Sequence, residues 1–235
     1  MENLNYNLTL ETASQDEKAE FIRKTYLHVA LAVLSFVLLE IIFFQSGIAE
    51  AVAGILLSGK WTWLIVLGAF MFISTLADKW ARSSTSVGMQ YAGLMLYTVI
   101  EAIIFIPLLY LAAAIAGTEI IAQAAYLTLF LFGGLTAVVF FTRKDFSFLK
   151  NILVIGGFVA MGLIVVGIIF GFELGLWFSV AMVALAAGSI LYQTSNLFKT
   201  YQTGQHVAAA LGLFASLMLL FWYILRILIA LTSSD

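Results

Sequence analysis

The stretch ILVIGGFVAMGLIVVGIIFGF, residues 152–172, decides the fold class of this chain because it contains no charged side chain. An α-helix rises about 1.5 Å per residue, so a stretch of this length matches a hydrocarbon core roughly 30 Å thick. Lipid offers the backbone no hydrogen-bond partner, and a single apolar segment therefore crosses it as a helix. The stretch predicts a transmembrane helix.

Six further apolar stretches meet the same test of length and composition. The third of the seven is long and contains the only proline, Pro107, and we interpret it as one kinked or tilted helix rather than two spans. The sequence therefore predicts an all-α polytopic membrane protein, with a polar segment at 1–22 and a single seven-helix domain at 23–235. The predicted spans are residues 26–44, 61–77, 89–116, 120–141, 152–172, 174–194 and 207–231.

The composition of the whole chain agrees with this fold class and excludes several functions. Hydrophobic residues make up 63% of the chain and charged residues only 10%, which is too little charge for the surface of a soluble domain. The net charge of −2 and the lack of a basic stripe exclude nucleic acid as a partner. The chain has no cysteine, so disulfides and thiolate chemistry are excluded as well.

The distribution of Lys and Arg predicts the orientation of the chain in the membrane. Cytoplasmic loops carry the excess of these residues. With seven spans, only Lys60 and Arg226 fall on the side opposite the N-terminus. This asymmetry predicts a cytoplasmic N-terminus and an external C-terminus. The nine basic residues on the N-terminal side are Lys18, Arg23, Lys24, Lys79, Arg82, Arg143, Lys144, Lys150 and Lys199.

The segment between the first two spans, residues 47–60, has two interpretations. Ile48, Val52, Ile55 and Leu56 recur at helical spacing, which is typical of a short helix lying in the membrane interface. An ordinary connecting loop explains the segment equally well.

Two carboxylates inside predicted spans are candidate functional groups, because ionisable residues in a bilayer are costly. Glu101 lies deep in the third span, near Pro107, which frees the carbonyl of Ile103. It is either a proton or cation acceptor in a wet cavity or a protonated side chain bonded to a neighbouring helix. Glu40 lies nearer the outer end of the first span, and we expect it to snorkel to the interface.

Other polar and small residues in the spans have structural interpretations. His28 and Arg226 lie near span ends and are expected to anchor the interface. Ser195 or Asn196 is expected to cap the sixth helix. Small residues at Ala208, Gly212 and Ser216 recur at spacing four, and such faces let helices approach closely. The seventh span is therefore predicted to pack against several others. Gly167 and Gly171 give the fifth span a similar face.

No enzyme motif is present in the chain. The sequence lacks His-Glu-x-x-His, Gly-x-Ser-x-Gly and a phosphate-binding glycine loop, and its two histidines, His28 and His206, cannot form a His-rich metal site. We therefore expect no catalytic residues, no metal and no cofactor. A channel, transporter or interaction protein is the predicted class.

Four segments give the chain a family resemblance that extends over nearly all of it from about residue 20. Together they resemble the Bax inhibitor-1 family. The segment at 142–148 is most similar to the bacterial YccA-like branch, modulators of a membrane-anchored AAA protease. The segments are RKTY at 23–26, TRKDFSF at 142–148, GSILYQTSN at 188–196 and LFWYILR at 220–226.

The resemblance implies a bundle in which the last helix is central. In members with channel activity it also implies two carboxylates, on the sixth and seventh helices, that share a proton and gate a calcium leak. Two like charges in a low-dielectric site cannot both ionise, which explains how such a pair senses pH. This chain has Gln193 and Ser216 at those positions. They do not titrate, but they can hydrogen-bond across the same gap. The two positions then form either a permanently bonded closure or a site used for something other than pH gating.

Three functions follow as hypotheses. The first is a regulatory protein of the bacterial inner membrane that binds another membrane protein, with an AAA protease as the expected partner. The second is a leak channel or transporter for Ca²⁺ or H⁺ that uses Glu101. A structural role in lipid packing is the third, and it predicts that no single polar substitution matters.

Overall fold

The computed structural model describes residues 10–83 and 86–232, and in these ranges the chain is helical with no β-strand. Residues 1–9 of the polar segment lie outside the described residues. The helices, in chain order, are α1 Gln15–Gln45, α2 Ile48–Leu56, α3 Lys60–Ala81, α4 Val87–Ala116, α5 Glu119–Thr142, α6 Leu149–Phe170, α7 Gly175–Ser195, α8 Leu197–Thr200 and α9 His206–Thr232.

Seven of these helices are long and apolar enough to cross a membrane, namely α1, α3, α4, α5, α6, α7 and α9. The predicted seven-span fold is therefore confirmed. Helix α4 continues through Pro107, as the single-span interpretation requires. We call the end of the bundle at which α1 begins the N-terminal end, and the other the far end. Helices α3, α5 and α7 finish at the N-terminal end, and α4, α6 and α9 start there.

Helix α9 is the central element of the bundle, as the family resemblance implies. It packs against α1, α3, α4, α5 and α7, and most of its residues are buried. Helix packing in lipid relies on close van der Waals contact, which small residues permit. Ala208, Ala209 and Ala210 are buried at its N-terminal end, and Phe221 stacks on Phe105 of α4 with ring centroids 5.5 Å apart.

Helices α3 and α6 lie at the periphery and present large apolar side chains outward. Phe158 of α6 is 77% exposed, and Phe72 of α3 is similarly open. In a bilayer such side chains contact lipid tails, so their exposure costs nothing. The two helices meet near the far end, where Lys60 Nζ donates to the Ile169 carbonyl at 3.0 Å.

The segment at residues 47–60 contains a helix, which decides between its two interpretations. Helix α2 buries its small residues Ala49 and Ala53 against Ile106 of α4. Ile48 and Ile55, two of the large residues at helical spacing, are exposed on its other side. Small side chains on the inner side let α2 lie close to α4 at the far end of the bundle.

The start of α1 is fixed by a capping box. Ser14 Oγ accepts from the Glu17 backbone N–H at 3.3 Å, and Glu17 Oε2 accepts from the Ser14 backbone N–H at 2.8 Å. Residues 15–22 of the predicted polar segment thus form the first turns of α1. Before the cap, Leu10 is fully buried and its N–H points to the Tyr201 carbonyl at 3.5 Å.

Candidate functional site

A hydrogen-bonded group of three neutral side chains joins α7 to the central helix α9. Gln193 Nε2 of α7 donates to Ser216 Oγ of α9 at 2.5 Å and to Ser189 Oγ at 3.0 Å. The two serine hydroxyls are 2.8 Å apart. We call Ser189, Gln193 and Ser216 the neutral closure. Sequence reasoning expected the contact between Gln193 and Ser216 but missed Ser189, although the i to i+4 spacing to Gln193 indicated a shared face.

A glycine makes this close approach of α7 to α9 possible. Gly212 lies one turn before Ser216, and a Cβ atom there would be 2.5 Å from Gln193 Oε1. The missing side chain leaves room for the amide of Gln193 close to the backbone of α9. The small-residue stripe of α9 therefore serves packing and, at this position, also admits the polar group of its neighbour.

A cavity of about 440 Å³ opens toward the N-terminal end, with residues of the neutral closure in its wall. Helices α6, α7 and α9 and the segment after α7 enclose the cavity. Arg82, directly after the end of α3, also contributes to its lining. Its volume lies within the range of small-molecule sites, roughly 300–1,000 Å³. We call it the basic cavity. The residues that line it are Arg82, Lys150, Leu153, Val154, Ser189, Tyr192, Gln193, Asn196, Thr200, Tyr201 and Gly212.

The lining of the basic cavity contains two cations and no carboxylate. Arg82 is compensated from outside the lining, because its Nε lies 2.8 Å from Asp78 Oδ2. Its guanidinium also lies 5.2 Å from the ring centroid of Tyr201. Burial raises the pKa of the Tyr201 hydroxyl, which therefore stays neutral. Lys150 Nζ has no hydrogen-bond or ion-pair partner in the described part of the chain.

The rim of the cavity joins two of the sequence segments that carry the family resemblance. Asp145 Oδ2 pairs with Lys199 Nζ at 2.8 Å, and Ser147 Oγ donates to Asn196 Oδ1 at 2.7 Å. The Lys199 ammonium and the Ser147 backbone N–H hold the pKa of the Asp145 carboxyl well below its usual range. The loop between α5 and α6 is thereby fixed to the end of α7. Ser195 also bonds the carbonyl of residue 192, as the capping interpretation expected.

Glu101 is buried in α4, one turn after Tyr97 on the same face of the helix. Tyr97 in turn packs edge-on against Phe214 of α9, with centroids 6.1 Å apart. Glu101 does not line the basic cavity and does not contact the neutral closure.

The expectation that Glu40 snorkels to the interface is wrong. Its side chain is buried with 7% exposure, and neither carboxylate oxygen has a hydrogen-bond partner in the described residues. Phe36, one turn earlier, packs edge-on against Phe105 of α4. Packing of α1 against α4 and α9 therefore turns this face inward, away from the interface. Glu40 does not reach the basic cavity either.

His28, which was expected to anchor the interface, is buried at the N-terminal end of the bundle. Its Nδ1 lies 2.7 Å from the Lys24 carbonyl and must carry a proton, so in the neutral ring Nε2 accepts from the Tyr91 hydroxyl at 2.9 Å. His206 of α9 lies edge-on to it, with ring centroids 4.9 Å apart. Within the described residues, no three His, Asp or Glu side chains form a group able to hold a metal. Arg226 is only partly exposed.

Comparisons with known proteins identify the family. The family described as "Inhibitor of apoptosis-promoting Bax1" has a sequence model that matches residues 18–233. An uncharacterised Pseudomonas aeruginosa protein is 28% identical over 229 residues, covering 97% of this chain and 96% of its own length. An uncharacterised Neisseria meningitidis protein is 30% identical over 173 residues, 73% of this chain and 74% of its own.

A plant relative extends the same comparison. The "BI1-like protein" of Arabidopsis thaliana is 36% identical over 124 residues, which is 47% of this chain and 45% of the plant protein. The family match covers all seven membrane-crossing helices from residue 18 onward. This chain is therefore an integral, multi-pass membrane protein that belongs to the Bax inhibitor-1 family.

Proposed function

We propose that this protein is a non-enzymatic regulator of the bacterial inner membrane that acts by binding another membrane protein, and that it is not a pH-gated leak. One observation carries the proposal, namely that Gln193, Ser189 and Ser216 close the contact between α7 and α9 with neutral groups. In family members with leak activity, the resemblance implies an acidic pair at two of these positions. An amide and a hydroxyl neither gain nor lose a proton between about pH 5 and pH 8.

The neutral closure is also internally bonded. Gln193 Nε2 lies within hydrogen-bond distance of both serine hydroxyls, and each serine hydroxyl takes part in two contacts. Hydrogen bonds of a polar network are stronger in a low-dielectric interior and hold its members in one arrangement. The basic cavity above it adds a second barrier to cations, since its two charged lining residues are both positive.

A membrane-anchored AAA protease is the partner class that we propose. The support is the resemblance of residues 142–148 to the YccA-like branch, and the pair of Asp145 and Lys199 joins this loop to α8, directly after α7. The loop is at the N-terminal end, where nine of the 11 Lys and Arg residues lie, and we propose that this end is cytoplasmic. An ordered, charged loop on the cytoplasmic side is accessible to a protease whose catalytic domain lies on the same side.

Calcium flux into proteoliposomes tests the proposal that the protein is not a pH-gated leak. We expect liposomes with the wild-type protein to take up Ca²⁺ no faster than empty liposomes, at both about pH 6 and about pH 8. The double variant Gln193→Asp with Ser216→Asp restores two carboxylates at the closure, and it should show uptake that depends on pH. Wild-type flux that changes with pH would contradict the proposal.

Crosslinking in native membranes tests the proposal that the protein binds a membrane-anchored AAA protease. A photoreactive residue at Phe148, in the exposed loop before α6, should capture a membrane-anchored AAA protease. The matched control is a photoreactive residue at Ala186, which is fully buried in α7 and should capture no partner. Recovery of only abundant membrane proteins from the Phe148 position would count against this partner class.

A cation leak is the second candidate function, and the burial of Glu40 favours it. A carboxylate with both oxygens unpartnered inside a bundle is available to a proton or a cation. If the same liposomes leak, Glu40→Gln and Glu101→Gln should each be compared with the wild type. A leak that neither substitution lowers would remove both carboxylates from the pathway.

A further inference from the structure

The basic cavity has a chemistry that neither the neutral closure nor the proposed partner explains. We infer that it binds a phosphate-bearing anion, supplied by the headgroup of an anionic phospholipid, with the phosphate held between Lys150 and Arg82. The inference goes beyond the proposed regulatory function and does not depend on the identity of any protein partner.

Charge is the first support for this inference. Lys150 is a cation in the lining with no partner among the described residues, whereas the neighbouring cations Arg82 and Lys199 are each paired with an aspartate at 2.8 Å. With no carboxylate in its lining, the cavity is left with the positive charge of Lys150 uncompensated. A phosphate is the anion that lysine binds as a point charge and arginine binds with its fork of donors.

Hydrogen-bond donors are the second support. The lining adds the hydroxyls of Tyr192, Thr200 and Tyr201 to the two cations. The Tyr201 hydroxyl stays protonated because burial raises its pKa, so it remains a donor. A phosphate offers several acceptor oxygens, and a pocket with cations and hydroxyls together satisfies more of them than a surface lysine does.

The third support is the position of the apolar wall. Helix α6 lines the cavity with Lys150, Leu153 and Val154, which fall on one face at spacings of three and four. Val154 is 51% exposed, so this wall continues onto the outer, lipid-facing surface of the bundle. A phospholipid bound there would keep its acyl chains against α6 and place only its headgroup in the cavity. Basic pockets between membrane helices are known to hold such headgroups.

The ends of α3 and α6 make this wall accessible from the bilayer. Near the far end the two helices are joined by the bond from Lys60 to the Ile169 carbonyl, whereas at the N-terminal end Arg82 and Lys150 face the same cavity. A headgroup that enters at this end meets a cation contributed by each helix. Free phosphate would bind the same cations and hydroxyls, but it has no acyl chain that could contact the apolar wall.

Lipid binding to the purified full-length protein tests the inference. Native mass spectrometry would compare phosphatidylglycerol with phosphatidylcholine of the same chain length, each titrated into the detergent-solubilised protein. We expect phosphatidylglycerol to bind about tenfold more tightly, as one charge-assisted contact implies. Equal binding of the two lipids would overturn the inference.

Three variants locate the site. Lys150→Ala should remove the roughly tenfold preference for phosphatidylglycerol, and Lys150→Arg should keep it because the cation remains. The matched control is Lys144→Ala, which removes an exposed cation at the same end of the bundle but outside the cavity lining. An equal loss in Lys150→Ala and Lys144→Ala would indicate attraction by surface charge alone and would overturn the inference.

A competition experiment separates the two sources of phosphate. Inorganic phosphate, added in excess, should displace little phosphatidylglycerol if the acyl chains contribute to binding. If inorganic phosphate binds the wild type and phosphatidylglycerol does not, the lipid source is wrong. Thermal unfolding of each variant in detergent would establish that it is folded, and Lys150→Arg keeps the test decisive if Lys150→Ala unfolds.

Discussion

Two close helix contacts depend on the absence of a Cβ atom at a glycine. Gly93 of α4 faces α3 so closely that a Cβ atom would be 2.5 Å from the Ala77 carbonyl oxygen and 2.6 Å from the Ala81 nitrogen. Both contacts are to backbone, which cannot rotate away as a side chain can. At Gly212 the obstacle is instead the amide of Gln193, which has more freedom to move. Glycine therefore serves a different purpose at each position.

Gly93→Ala is expected to lower the stability of the folded bundle, because α3 and α4 must separate to admit one methyl group. Overpacking of this kind costs typically about 1–3 kcal/mol. Thermal unfolding in detergent would measure the change. Gly68→Ala in α3 is the control, since a Cβ there meets nothing within 4 Å. A melting temperature equal for both variants would show that α3 and α4 are not in close contact.

Ser216→Ala tests the neutral closure at the level of one hydroxyl. The substitution removes the Ser216 hydroxyl as an acceptor for Gln193 Nε2 and as a partner of Ser189, which keeps its bond to Gln193. We expect a loss of about 0.5–2 kcal/mol in unfolding free energy, in the range of hydrogen bonds between membrane helices. The matched control is Ser179→Ala, whose hydroxyl bonds only within its own helix and should matter less.

At the scale of elements, the loop between α5 and α6 is held by a few polar contacts and no large apolar core. Asp145 receives bonds from Ser147 and Lys199, and Ser147 also bonds Asn196. The loop begins where Arg143 takes a left-handed conformation with φ of 52°, ending α5. Ion pairing and hydrogen bonds, rather than apolar packing, therefore hold this loop in its conformation.

Acid is expected to release the loop through Asp145. Its pKa is lowered in the folded protein by the Lys199 ammonium and by Ser147, so its contribution is complete above the unfolded value of about 4. That contribution is lost as the pH falls through the folded pKa. Hydrogen exchange at residues 143–148 should be faster in Asp145→Asn than in the wild type at neutral pH. The difference should shrink below about pH 4, and a difference that persists would contradict the assigned role.

The described residues contain an odd number of helices able to cross a membrane, so the start of α1 and the end of α9 are predicted to lie on opposite sides. The absence of cysteine makes the proposed orientation directly testable, because single cysteines can be added without removing others. A membrane-impermeant maleimide should label Glu173→Cys in intact cells and Lys144→Cys only after the membrane is opened. Both residues are exposed and lie in loops at opposite ends of the bundle. The reverse pattern would contradict a cytoplasmic N-terminus.

The sequence alone determined that the chain crosses the membrane seven times and that Pro107 does not divide a span. Each span is a local property, because lipid selects every segment separately by its length and apolarity. Family resemblance added the central place of α9 and the contact between Gln193 and Ser216. The spans needed no knowledge of how any helix is rotated, whereas the contact was carried over from the positions of the family's acidic pair.

Only the tertiary structure decided which face of each helix is buried. Only the structure showed that Glu40 faces inward without a hydrogen-bond partner and that His28 lies beside His206. It also showed that Ser189 belongs to the neutral closure and that Lys150 lines a cavity without a partner. The physical reason is that a transmembrane helix is apolar on all sides, so its sequence shows no strong periodic face. Rotation is then set by contacts between residues far apart in the chain, which the sequence does not display.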